Sequence, residues 1–210
     1  MVDYVESIKR PFSDVGKLVL GIILSVIPIV NFIFSGYLLD VAKSAMRKDM
    51  KLPEYKDYGK MFIDGLLTAV IGFVYLLPVI VLLGILMLTS SFSFGNILSG
   101  GTLGVAGALA GLGVYLIVLV IVGAIFGLLA TVAILRFADN REFGVAFEFG
   151  AVAKKAFTSH YVTSWLITMV IIWVLTFLLN FIPFVGAMIA VYIAGVINMT
   201  ALGQAYAEAR

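Results

Sequence analysis

Few residues in this chain could do chemistry. Its 210 residues include one histidine, His160, and no cysteine. A zinc-type site needs about three or four protein ligands. His160, next to Tyr161, therefore reads as a surface or interface histidine and not as a ligand. Thiol and disulfide chemistry is closed to the chain. The sequence also lacks a phosphate-binding loop, an HExxH helix, a GxSxG elbow and a carboxylate dyad. These residues assign no catalytic role, no cofactor and no metal, so a non-enzyme is expected.

Two carboxylates stand apart because they border long uncharged stretches. Asp40 and Asp64 have Lys43 and Lys60 one helical turn away. Ionisable groups at membrane depth are costly and commonly functional. The pair reads either as helix-end ion pairs or as part of a polar path. Asn198, inside the last uncharged stretch, is the third candidate for that path, and interhelical hydrogen bonding is its alternative role.

The elements that must position these residues follow from composition. Hydrophobic residues make up 62% of the chain and charged residues 12%, where a soluble domain carries about 25% charged. The net charge of +2 is too small to point to nucleic acid. Every charge falls in windows 3–17, 40–64, 136–155 or 208–210, and stretches 18–39, 65–135 and 161–207 have none. A bilayer span needs about 20 apolar residues, so the class is an all-α, polytopic transmembrane bundle. The N-terminal charges Asp3, Glu6, Lys9 and Arg10, with no cleavage site after a short apolar run, argue against a removed signal peptide.

Lys and Arg collect in cytoplasmic loops. If all four windows are cytoplasmic, each uncharged stretch must leave and return. The chain is then one membrane domain, 1–210, of six membrane-embedded helices in three hairpins, about 12–47, 64–135 and 161–206. Both termini are cytoplasmic, and the protein sits in the cell membrane. Pro28 and Asn31 mark the first hairpin tip, and Asn180, Pro183 and Gly186 mark the third. The first hairpin has arms of about 24 and 28 Å, short for a core of about 30 Å, so it is thin or re-entrant. A shift of 155 residues aligns Leu24, Ile27, Pro28, Val30, Tyr37 and Val41 with Leu179, Ile182, Pro183, Val185, Tyr192 and Val196. That register reads as a repeat of the Pro-marked hairpin.

Short interfacial segments are expected at about 2–10, 50–62 and 139–157. Leu52, Tyr55, Tyr58 and Phe62 recur at helical spacing. Phe143, Phe147, Phe149, Val152 and Phe157 alternate with Glu148, Lys154 and Lys155. Such segments place aromatics at headgroup depth. Gly100, Gly104, Gly107 and Gly111, and the pair Gly123 and Gly127, form stripes that would let helices approach closely, within one chain or between copies.

The stretch "LPEYKDYGKMFIDGLLTAVIGFVYLLP" (52–78), with "RFADNREFGVAFEFGAV" (136–152), "LGQAYAEA" (202–209) and "RPFSDVGK" (10–17), resembles a family of small prokaryotic, chiefly archaeal, polytopic membrane proteins known only as a domain of unknown function. The resemblance implies a multi-helix membrane domain and carries no activity, substrate or site residue. The expected role is non-catalytic: an accessory, scaffold or bilayer-organising module. Its partners would be the bilayer and a second copy or another membrane protein. The alternative is a small-solute or ion permease or channel.

Overall fold

The computed structural model describes residues 2–183 and 185–209, with backbone alone at 89–104, 106 and 108. Among the described residues there is helix, turn and loop, and no strand. The helices are α1 (Tyr4–Lys9), α2 (Val15–Val26), α3 (Asn31–Met46), α4 (Tyr58–Asn140), α5 (Phe149–Ala156), α6 (Ser159–Leu179) and α7 (Val185–Glu208), with 3₁₀ turns at Arg10–Phe12 and Phe143–Phe147. The chain divides into two compact units, Met1–Gly72 with Thr131–Arg210, and Phe73–Ala130.

Local chemistry sets the helix boundaries. Aspartates open three helices by accepting an otherwise unpaired backbone N–H. Asp3 accepts from Glu6 N (2.9 Å), Asp14 from Lys17 N (3.1 Å) and Asp57 from Lys60 N (3.1 Å). α2 stops where Ile27 turns extended (ψ 118°) before Pro28, as the proline ring disfavours helix for the residue preceding it. Ile29 then adopts a left-handed φ of 70°, a costly conformation for a β-branched residue. The reversal ends at Asn31, the first residue of α3. The 155-residue register maps α2's last residue to 181 and α3's first to 186, which matches the second reversal between α6 and α7.

Four stretches are long and apolar enough to cross a membrane: Tyr58–Leu88, Leu109–Asn140, Ser159–Leu179 and Val185–Glu208. α2 is apolar but only 12 residues long, about 18 Å. α3 carries Asp40 and Lys43 within its 16 residues. Four helices of membrane length are thus present, and the short α2 and α3 stand where the first hairpin is expected.

A straight α4 of 83 residues would be about 125 Å long. Within unit 73–130, however, the Tyr115 hydroxyl donates to the Leu82 carbonyl. These positions would lie about 50 Å apart along a straight helix, so the two arms run side by side.

The core of the other unit forms where α3 packs along α7, with α2 against both and α6 along the far side of α7. Phe34, Tyr37, Val41, Tyr192, Ile193, Val196 and Ile197 fill the α3–α7 seam, and Leu24, Leu52 and Met61 close it. α7 is the inner helix: half of its most apolar window is buried, against 11% for α6.

One expected element takes another form. Residues 52–57 are not helical, and α4 begins only at Tyr58. Pro53 lacks a helical N–H, and Asp57 caps α4 from a left-handed conformation (φ 57°). Leu52 is buried in the core, and Tyr55 stacks on Tyr37 with ring centroids 4.0 Å apart. These two side chains are therefore core residues and not headgroup anchors. In the third segment, α5 has Val152 and Ala156 buried and Phe149 exposed, with Phe157 exposed just after it.

Candidate functional site

Arg10 stands in the 3₁₀ turn after α1, and its residue is 2% exposed. Its Nε donates to Met50 O (3.0 Å), and Nη1 donates to Val41 O (3.2 Å) and Thr200 Oγ1 (2.9 Å). Nη2 donates to Ser44 Oγ (2.6 Å), Asp49 O (3.2 Å) and Lys51 O (2.9 Å). A guanidinium has five N–H groups, so one N–H serves two acceptors. The carbonyls at the end of α3 carry the helix's negative pole, which favours a cation there. Burial holds the Arg10 pKa below its ordinary value, yet arginine stays charged in proteins. One cation thus ties the N-terminal turn to α3, to loop 47–51 and to α7.

Beside this cage lie three buried tyrosine hydroxyls, of Tyr37, Tyr55 and Tyr192, the first and last of them interacting with each other. Gly21 makes room for them. A β-carbon there would overlap the Tyr192 ring and stand 2.7 Å from the Tyr55 hydroxyl. Burial pushes the Tyr55 hydroxyl far above its ordinary pKa, so it stays protonated.

A second arginine brings the two sequence-selected carboxylates together. Arg141 ends α4 in a left-handed conformation (φ 60°), its N–H bonding Phe137 O at 2.8 Å. One guanidinium arm binds Asp64 and the other Asp40. The Asp64 side chain is 14% exposed and that of Asp40 37%. Next to this pair, Lys43 Nζ donates to Asp139 O at 2.9 Å. α3 and both ends of α4 are thereby joined at the charged end. The sequence reading selected Asp40 and Asp64 and missed Arg141; the available signal was "DNR" closing the long apolar stretch.

Asn198 is not part of this cluster. Its Oδ1 is buried on α7 without a partner among the described residues, as is the Trp165 indole N–H on α6. His160 is half exposed and pairs with Glu208 at 2.9 Å, joining the start of α6 to the end of α7. At the α6–α7 turn, Asn180 Nδ2 donates to Thr176 O (2.7 Å). Gly186 there lies so close to Leu179 O that a β-carbon would overlap it. Pro28 and Asn31 are exposed at the α2–α3 turn, and Pro183 lies in the α6–α7 turn.

Three of the stripe glycines stand in open space. β-carbons added at Gly107, Gly111 or Gly123 would meet nothing within 4 Å. Gly127 is half-buried, and the side-chain positions of Gly100 and Gly104 lie outside the described residues. The tight crossing is between α3 and the start of α4: Gly36 abuts the Met61 carbonyl, and Gly65 abuts the Phe32 carbonyl. Gly107→Leu is therefore expected to leave the melting temperature in detergent equal or higher, as helix propensity alone favours leucine over glycine by up to about 1 kcal/mol. A lower melting temperature or a smaller particle on size-exclusion would mean that another copy covers this face.

The described helices make an all-α protein with four helices long and apolar enough to cross a membrane and charges tied together at helix ends. Within that class the chain belongs to the family described as protein of unknown function (DUF4013), whose model matches residues 20–203. The match includes Asp40, Asp64 and Arg141 and leaves Arg10 outside. No curated protein and no solved structure matches the chain.

Proposed function

We propose that the protein is a non-catalytic, multi-pass protein of the cell membrane that acts through packing, as an accessory, scaffold or bilayer-organising module. Six embedded helices form three hairpins, the first of them short, with both termini and the charged end in the cytoplasm. A second copy or another membrane protein is its partner. The observation that carries this reading is Arg141, whose guanidinium engages both Asp40 and Asp64. A proton or solute path would use those carboxylates in a free state. Here each is one arm of an ion-paired lock, Asp64 largely shielded and Asp40 partly open to water. The alternative, a small permease, draws on the buried Asn198 oxygen on α7 and Trp165 N–H on α6, without partners among the described residues.

Single cysteines at 8, 56 and 142 are expected to label only from the cytoplasmic side, and those at 31 and 185 only from outside. Outside labelling at 56 would overturn the three-hairpin topology. In sealed proteoliposomes, flux of ions and small polar solutes should equal that of empty vesicles. Protein-dependent flux that disappears in Asn198→Leu would establish the permease reading instead.

A further inference from the structure

A polar cleft of about 190 Å³ lies at the charged end, lined by Met46, Arg47, Asp139, Lys155, Tyr206 and Ala207. A water's share of liquid volume is about 30 Å³, so the cleft has room for a phosphate group and several waters. Three elements build it. α3 ends at Met46 and presents Arg47 as its C-cap. α5 contributes Lys155 from its last turn, and α7 contributes Tyr206 from its own.

The charges are arranged for an anion. Lys155 Nζ lies 3.4 Å from the centre of the Tyr206 ring, which holds the ammonium against the wall. Arg47 is exposed and has no carboxylate partner among the described residues. The Lys43 ammonium, outside the lining, donates to the Asp139 carbonyl. Among the described lining residues, one carboxylate, Asp139, opposes an anion, against the two cations Arg47 and Lys155. A guanidinium fork with an ammonium beside it matches phosphate oxygens.

The surroundings point to the source of that phosphate. Phe157, directly after α5, is 56% exposed, and Phe149 at its start is 58% exposed. α6 begins two residues later at Ser159 and presents Leu166, Val170 and Trp173 outward. A ligand with a phosphate at one end and hydrocarbon at the other would meet cations in the cleft and apolar surface beside it. Basic pockets at the cytoplasmic ends of membrane helices bind anionic headgroups in this way.

We propose that this cleft binds a phosphate group, and that its source is the headgroup of an anionic phospholipid. The choice of lipid over free phosphate rests on the multi-pass reading, whereas the phosphate site does not. The test uses the full chain, delipidated in uncharged detergent, with thermal melting followed at constant ionic strength. Three probes are added separately: phosphatidylglycerol, phosphatidylcholine and inorganic phosphate. Phosphatidylglycerol is expected to raise the melting temperature by several degrees, phosphatidylcholine by much less, and inorganic phosphate only weakly. Arg47→Gln should melt like the parent without lipid, because the Arg47 side chain makes no ion pair or hydrogen bond among the described residues, and should bind phosphatidylglycerol about tenfold more weakly. Asp139→Asn should bind it more tightly. Equal shifts from the two lipids, or an undiminished phosphatidylglycerol shift in Arg47→Gln, would overturn the site. An inorganic phosphate shift as large as that of phosphatidylglycerol would overturn the lipid source. Release of the chain from membranes by alkaline carbonate would overturn the multi-pass reading separately, and the inorganic phosphate arm would then decide the site.

Discussion

Gly65→Ala is expected to destabilise the protein by about 3 kcal/mol or more, above the usual range for one methyl of overpacking. The added carbon would overlap the carbonyl oxygen of Phe32, and Gly36→Ala would overlap that of Met61. Neither neighbour is a flexible side-chain end. Both are backbone carbonyls of helices, so relief requires α3 and α4 to separate. That separation would pull Met61 from the core and strain the Arg141 bridge between Asp40 and Asp64. The two substitutions act on one crossing, so their effects should not add: once the helices part, the second methyl costs little. For a chain of this length such a loss lowers the melting temperature by about 6–12 °C. Thermal melting in detergent of Gly65→Ala, Gly36→Ala and the double variant reads this directly. Parent-like melting of Gly65→Ala would mean that the crossing is looser than it stands here.

These two glycines show a close approach that no sequence pattern announced. A stripe such as Gly100–Gly111 attracts attention because small residues repeat along one face. Close approach in this fold needs only one glycine per helix at the crossing point, and Gly36 and Gly65 belong to no repeat. Local chemistry was easier to read. Pro28 dictates the state of Ile27, so the first reversal followed from the sequence, as did the second at Asn180–Gly186. The confinement of charge pointed to long apolar helices, and four are present. The segment around Tyr55 was misread because its aromatic spacing is helical, whereas Pro53 and the Asp57 cap keep 52–57 out of helix. Asp40 and Asp64 were visible as charges at apolar borders. Their shared partner was not, because Arg141 lies 77 residues from Asp64 in sequence.

Arg10 was hidden for the same reason, since its acceptors are neutral and remote: Val41 O is 31 residues away and Thr200 Oγ1 is 190. Arg10→Ala is expected to cost about 3–5 kcal/mol, the range for dismantling a buried charged network. The loss combines three effects: a void where the guanidinium packs, acceptors left without their donors, and release of loop 47–51 from the end of α3. Lysine cannot substitute. It offers three N–H groups from one point, while the six acceptors of Arg10 surround a planar fork. Arg10→Lys should therefore recover less than half of the lost stability despite keeping the charge. The loop gives a local readout. Lys48 and Lys51 flank the Asp49 carbonyl that Arg10 holds, so a lysine-specific protease should cut there faster in Arg10→Ala. If the loop opens before the bundle does, about 3 kcal/mol corresponds to roughly a hundredfold in cleavage rate. Among the described residues no hydrogen bond or ion pair joins the Arg141 bridge to this cage, so cysteine labelling at 142 should be unchanged. A protease rate equal to the parent's, with unchanged melting, would mean that loop 47–51 is held by its own turn and that the six contacts of Arg10 contribute little.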